Sequence, residues 1–484
     1  MNYRMVFKFL GKVFLVEAVL LILPLIISFI YRETDSWYAY VIPICGLTAI
    51  GFPLSLIKSS KQSFYAKEGL VTVAFSWIFL SLAGAVPFLF YGINYVDAVF
   101  ETVSGFTTTG ASVIPDVEVL PHSIMFWRIF THFLGGMGIL VFVLAIMPKF
   151  SSGVMHVFRA ESPGPTVGKL VSKVNFTARI LYGIYCGLTL IEFIMLVLGG
   201  MPVFDSILMS FSTAGTGGFG TNNNSAAGYS TYCQIVMAAF MFIFSINFNA
   251  HYFIIIGSFK KALKSEEVRV YTIITVIATI LIALNVFYTV GSIYTDFGTA
   301  LKDAFFQVTS ISSSTGLTSI DYDKYFPTFS KTVLLFLMIF GACAGSTGGG
   351  IKTSRLVIFV KSVIADIKNM ISPRSVYPVK FEGEAVDEKT VKSVKTYFGI
   401  WLLIVIISTL LLSIDAFGDV LTDLTATLAC FGNTGPGLNM VGPAMNYGGY
   451  SVFSKIWLSI VMIAGRLEIF PVLILLFPST WIKK

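Results

Sequence analysis

Ten long apolar runs separated by short polar stretches lay out this chain, at about 10–30, 38–57, 70–92, 125–148, 179–200, 232–257, 270–291, 330–364, 396–414 and 454–477. Each is long enough to cross the roughly 30 Å hydrocarbon core of a bilayer as a helix. The first two, turned by Tyr31-Arg32-Glu33-Thr34-Asp35, predict a peripheral hairpin over 1–66. The other eight fall into four pairs. Between the members of each pair lies a shorter, half-apolar stretch that begins at an Asp and ends in a Thr-Gly step.

The four stretches start at Asp97, Asp205, Asp303 and Asp423 and reach Gly110, Gly217, Gly316 and Gly435, twelve or thirteen residues later in every case. This is a degenerate internal repeat. One Thr-Gly step in a membrane helix would signal only close packing; four in one register signal a shared structure. The Asp is expected to cap a short helix, about half a bilayer long, that ends where glycine permits unusual dihedrals. Backbone carbonyls turned inward there can replace the hydration shell of a potassium ion, and the negative end of the helix dipole points to the same place. Non-helical backbone at membrane depth must be buried in protein or line a wet cavity, so the four loops should face one axis. The pattern therefore predicts an all-α membrane protein with about ten spanning helices and four re-entrant pore helices. Its four pseudo-symmetric helix–pore loop–helix units run over 67–150, 151–258, 259–370 and 371–484. The expected filter residues are Thr108, Thr109 and Gly110; Gly215, Thr216 and Gly217; Ser314, Thr315 and Gly316; and Asn433, Thr434 and Gly435.

Composition agrees. Of 484 residues 55% are hydrophobic and 12% charged, against about 25% charged in soluble domains, and the mean hydropathy is +0.81. The net charge of +7 could point to nucleic acid, but 26 of the 33 Lys and Arg residues lie in segments 1–12, 58–69, 149–179, 258–269, 352–395 and 483–484. That is a positive-inside distribution; it predicts cytoplasmic termini, linkers at 150–178 and 365–395, and no nucleic-acid partner. The five cysteines and four histidines show no ligand or disulfide spacing. No clustered nucleophile, base or metal ligand suggests an enzyme, and no bound cofactor is expected beyond the transported K+.

Two further features suggest a gate. The stretch Gly341–Arg355 holds Gly345, Ser346, Thr347, Gly348, Gly349, Gly350 and Lys352 inside the 330–364 run. So many glycines cannot hold a regular helix. Ile351 separates Gly350 from Lys352, which breaks a phosphate-loop pattern. Arg466 lies in the last apolar run, where a charge is expensive and marks function. It follows Gly435 by 31 residues, and the same offset from Gly316 gives Thr347. The two features are thus expected at one depth, Arg466 donating to carbonyls of the glycine-rich stretch. Arg128 is expected to snorkel from a helix end, and Glu17 and Glu192 are expected to pair within helix contacts, with no role assigned to them.

With these residues in view, together with Phe126-Trp127-Arg128, Leu134-Gly135-Gly136-Met137-Gly138 and Ala464-Gly465-Arg466-Leu467-Glu468, the chain resembles Trk-type potassium uptake subunits of the Trk/Ktr/HKT superfamily over essentially its whole length. The hairpin favours the Trk-type branch. The resemblance implies potassium uptake across the inner membrane, a filter gated by an intramembrane loop with the Arg beside it, a homodimer, and a cytoplasmic nucleotide-binding regulatory ring of TrkA-like subunits. A sodium- or proton-coupled cation symporter, or a sodium-permeable member of the superfamily, is the alternative; a carrier should show inverted repeats and paired broken helices, whereas one broken helix is expected here.

Overall fold

In the computed structural model, residues 2–33, 36–57, 66–138, 174–291 and 294–481 are described. The expected linker at 150–178, apart from its last residues, and the expected helix end near Pro148 lie outside them. The described residues form helices joined by loops, with one two-stranded hairpin among them. Six described helices are long and apolar enough to cross a membrane, or seven if the bent pair Thr231–Phe244 and Phe248–Ile255 is one span.

The N-terminal hairpin is formed by Tyr3–Leu20, Ile22–Ile30 and Tyr38–Ser55. Its helices approach closely at Gly11 and Gly51: a Cβ on Gly11 would lie 2.6 Å from the backbone nitrogen of Ser55. Small residues let helices pack in the absence of a hydrophobic driving force between them. The hairpin joins the largest apolar core, where Trp77, Phe100, Phe106 and Trp127 are buried and the Trp127 indole donates to the Gly84 carbonyl at 2.9 Å.

Four short helices end in the expected loops: Tyr95–Phe106, Val203–Gly215, Phe297–Ser312 and Val420–Phe431. Their caps differ from expectation. Asn94, Asp296 and Asp419 cap three of them, and the fourth follows Pro202 without a side-chain cap. The aligned aspartates sit within the helices and bind other elements. Asp97 pairs with Lys455 at 2.6 Å, Asp303 accepts from Ser319 at 2.8 Å, and Asp423 accepts from Tyr450 at 2.8 Å. A capping residue must be extended at the helix start; the shared Asp positions are one or two turns too late for that.

The helix after each loop ends early or breaks within the described residues. His122–Gly136 stops at a Gly-Gly pair, and Thr231–Phe244 bends by 99° into Phe248–Ile255. Thr328–Ile339 gives way to the glycine-rich stretch before Thr353–Ile371, and Val452–Arg466 breaks at Glu468 and Ile469, both left-handed, before Phe470–Leu476. The expectation of one broken helix is therefore corrected. The apolar runs are continuous in sequence, but their backbone opens where it meets the loops.

The expected 365–395 linker is also more ordered than its polarity suggests. The helix continues to Ile371, a hairpin pairs Lys380–Phe381 with Glu384–Ala385, and a helix starts at Glu388. Glu382 and Gly383, both at positive φ, form the two-residue turn such a hairpin favours. Lys361 pairs with Glu266 and donates to the Lys380 carbonyl, so the basic segments 258–269 and 352–395 meet at one end of the molecule.

Candidate functional site: a carbonyl ring and the loop beneath it

Each pore helix leads into two left-handed residues with one residue between them. They are Thr108 and Gly110, Thr216 and Gly218, Ser314 and Gly316, and Asn433 and Gly435. The residue between donates its N–H to a carbonyl five residues back in each case: Thr109 to Ser104, Gly217 to Ser212, Thr315 to Ser310 and Thr434 to Ala429, all at 2.8 Å. The second loop is thus read one residue late relative to the sequence expectation. Its triplet is Thr216, Gly217 and Gly218, and Gly215 is the last residue of the helix. The Thr-Gly step misled because Gly217-Gly218 offers two glycines, and only φ tells which plays the part of Gly110.

The four loops close on one another. A Cβ on Gly110 would lie 2.2 Å from the Gly217 carbonyl oxygen, one on Gly218 2.0 Å from that of Thr315, one on Gly316 2.0 Å from that of Thr434, and one on Gly435 2.6 Å from that of Thr109. Each middle carbonyl therefore rests against the glycine of a neighbouring loop, and the contacts return to their start. Only glycine fits, on two grounds: its φ is positive and the space is taken. The ring alternates. Thr107 and Ser313 brace the middle residue through hydroxyl pairs with Thr109 and Thr315 at 2.7 and 2.6 Å, where the other two loops have Gly215 and Gly432. In the fourth loop the Tyr447 hydroxyl donates to the Gly435 carbonyl at 2.7 Å. His132, expected as a packed or hydrogen-bonded helix residue, stands behind the second loop; it accepts from Phe219 N–H through Nε2 at 3.2 Å, which leaves Nδ1–H to donate to the Gly105 carbonyl at 2.8 Å.

The glycine-rich stretch lies against the base of this ring. A Cβ on Gly349 would lie 2.5 Å from the Gly432 carbonyl and one on Gly348 2.7 Å from that of Ser313. Gly349 N–H donates to the Ser314 hydroxyl at 2.5 Å. The stretch is closed at its neck by an isolated bridge between Phe340 and Ile351. Its polar groups are met by neighbours: Cys343 N–H donates to Ser245 C=O, Thr347 to Phe244 C=O, and Gly345 C=O accepts from Phe248 N–H. Ser346 hydroxyl donates to Cys343 C=O at 2.6 Å, Gly350 turns with φ +68°, and Lys352, buried, donates to the Gly348 carbonyl.

Arg466 reaches this stretch as the register expected, donating to the Thr347 carbonyl at 2.7 Å. It also donates to Gly135 and Gly136 carbonyls, at 2.5 and 2.6 Å, at the end of the helix after the first loop. Glu468 pairs with Arg355, whose guanidinium lies 4.1 Å over the Tyr397 ring. Gly138, Gly345, Gly349, Lys352, Arg466 and Glu468 line one cavity on this side of the ring. A second, open to the other side, is lined by Gly110, Gly218, Gly316 and Gly435. Two positive side chains, buried Lys352 and half-buried Arg466, thus lie on this side of the ring.

Sequence reasoning missed two groups. Glu267, buried, accepts from the backbone N–H of Ala344 at 2.7 Å and of Ser354 at 2.9 Å, tying both ends of the glycine-rich stretch to one carboxylate. It stands in a charged run next to Glu266, and nothing in the sequence separates the two. Arg128 does not snorkel: it is 3% exposed and pairs with the fully buried Glu101 at 2.6 Å. Glu17 faces Gly84 and Glu192 faces Thr213, so the two do not meet.

Four pore helices aimed at a closed ring of backbone carbonyls, with a loop pressed on its base, define a membrane cation-transport protein built from four repeated segments. A family model described as "Cation transport protein", TrkH, matches residues 47–483. The chain belongs to the TrkH family and is a transport protein rather than an enzyme. It is 34% identical to the Trk system potassium uptake protein TrkH of Salmonella typhimurium over 99% of this chain and 100% of that one, and 32% identical to its Escherichia coli K12 counterpart with the same coverage. The crystal structure of the potassium transporter TrkH from Vibrio parahaemolyticus superposes with a TM-score of 0.89 at 32% identity, covering all of both chains.

One prediction concerns Glu267. Glu267→Ala should leave the Ala344 and Ser354 amides without an acceptor, at about 1–3 kcal/mol each. Hydrogen–deuterium exchange over 341–354 should accelerate; exchange as slow as in the parent would show that the carboxylate does not hold the stretch.

Proposed function

We propose that this chain is the translocation subunit of a potassium uptake system in the inner membrane, with both termini cytoplasmic and four pore units over 67–150, 151–258, 259–370 and 371–484. The observation that supports it best is the closed set of four carbonyl-to-glycine contacts. Thr108, Thr109 and Gly110; Thr216, Gly217 and Gly218; Ser314, Thr315 and Gly316; and Asn433, Thr434 and Gly435 then form the filter, where carbonyls take the place of water around K+. Relatives whose names state potassium uptake, matched over nearly their full length, support the choice of ion. Gly110→Ser or Gly316→Ser adds a side chain where no room exists and should lower potassium preference over sodium about tenfold or more in liposome flux, one tenfold being about 1.4 kcal/mol. Equal competition between the ions in parent and variants would remove the filter from consideration.

The stretch Gly345–Gly350 with Lys352 is the gate, and Arg466 is its latch. Three carbonyl contacts from one guanidinium hold the stretch against the first and fourth repeats, and the positive charge opposes cations below the filter. A hydrogen bond to a charged group is worth about 1.5–3 kcal/mol, so Arg466→Ala should raise resting leak at least tenfold. Leak at the parent level, in variant protein that is folded by size-exclusion chromatography, would place the gate elsewhere.

The reading also includes a homodimer and a cytoplasmic nucleotide-binding ring. No described segment forms a nucleotide-binding domain, and a ligand shifts a gate only through differential contacts with its two states. Control would therefore arrive through a partner acting on Thr353–Ile371, the helix that leads from the gate to the basic end. Crosslinkers placed at Lys368 and Lys389 should capture a soluble regulator; capture of lipid or of a second copy alone would leave the ring without support.

A further inference from the structure

The four loops are not supported alike from behind, and the difference is a charge. Nine residues before each left-handed glycine the sequence has Glu101, Met209, Gln307 and Ala426. Only the first is ionisable. Its carboxylate accepts from the Ser112 hydroxyl at 3.0 and 3.2 Å and from Val113 N–H at 3.0 Å, the two residues that follow Gly110-Ala111. In the third loop Gln307 plays a neutral version of this part, its amide donating to Ile320 C=O at 3.1 Å.

Glu101 is bound in turn by Arg128, whose Nε donates to it at 2.6 Å. Arg128 then crosses to the second loop. It donates to the Gly220 carbonyl at 3.3 Å, and its guanidinium plane lies 3.6 Å over the Phe219 ring. The same eighteen-residue offset from the left-handed glycine gives Val236 and Leu334 after the second and third loops; after the fourth, where Gly465 packs on the Phe431 carbonyl as Gly135 does on that of Phe106, the matching residue is Leu458. One charged pair, both members buried, thus ties the exit of the first loop to the exit of the second. These are the loops in contact through Gly110 and the Gly217 carbonyl.

A buried ion pair gives little net stability over an apolar pair of the same volume. What it does give is direction. A carboxylate with three donors and a planar guanidinium with fixed donor angles leave their partners few alternatives. We propose that Glu101 and Arg128 are positioning residues for ion selectivity, fixing the spacing between the Thr109 and Gly217 carbonyls. This rests on the filter reading above. The third loop is held within itself, Asp303 accepting from Ser319; the Glu101–Arg128 pair instead spans two loops and stiffens their junction.

The test compares K+ and Na+ uptake by full-length protein in liposomes. Glu101→Gln alone would leave Arg128 buried without a counter-charge, so the main variant is the double substitution Glu101→Gln with Arg128→Gln, which removes both charges together and leaves two polar side chains. Its K+/Na+ uptake ratio should fall on the order of tenfold, the equivalent of about one charge-assisted hydrogen bond. Arg128→Lys keeps the charge but loses the stack on Phe219, and should lower the ratio about threefold; it also serves if the double variant does not fold. A purely structural pair would lower folded yield and the uptake of both ions together, leaving the ratio unchanged. An unchanged ratio in either folded variant overturns the proposal, provided Gly110→Ser lowers it. If Gly110→Ser leaves the ratio unchanged as well, the filter reading has failed and the pair's role falls with it.

Discussion

Everything in this protein depends on how backbone is accommodated at membrane depth once it has left the helix. An unpaired peptide group in an apolar surrounding costs several kcal/mol, so four loops buried among apolar helices must be held by protein on all sides. The solution is mutual. Each middle carbonyl rests on the glycine of another loop, and that glycine cannot accept a side chain. No loop is set by its own residues alone. The pore helices, the aspartates that bind later elements, and the His132 and Glu101 contacts all serve to bring four edges to a common distance.

The glycine-rich stretch meets the same constraint by borrowing. It has few partners of its own, so its polar groups are met by the opened end of the helix after the second loop, at Phe244 and Ser245, and by the Glu267 carboxylate. The breaks in the helices after the loops are thus connected. Arg466, at the fourth break, gathers three carbonyls from the first and third, those of Gly135, Gly136 and Thr347. A guanidinium is suited to this because it has five donors in a fixed plane and remains charged. Removing it frees carbonyls on two elements at once, which is how a single side chain can hold a loop that has little structure of its own.

The ring is four-fold in its backbone and less symmetric in its chemistry. Hydroxyl braces alternate with glycine around it, a tyrosine occupies one outer carbonyl, and one pair of loops is tied by charge. A chain with four unequal repeats can place stiffness and compliance separately around one ring, which four identical subunits cannot.

The residues by themselves settled the membrane class, the repeat, the pore helices and the depth shared by Arg466 and Thr347. These are properties of period and spacing, carried by apolar runs and by offsets along helices of constant rise. The N-caps were beyond that reading, because an Asp near a helix start looks the same whether it caps or binds a distant lysine. So was the register of the second loop, where Gly217 and Gly218 differ only in φ. The breaks at 245–247 and 467–469 lie inside apolar runs and arise because other elements accept their opened backbone. The pairing of Glu101 with Arg128, and the grasp of Glu267 on residues 77 and 87 positions away, were decided only when the chain closed. Contacts between segments so far apart leave no local pattern, since neither partner constrains its own neighbours in sequence.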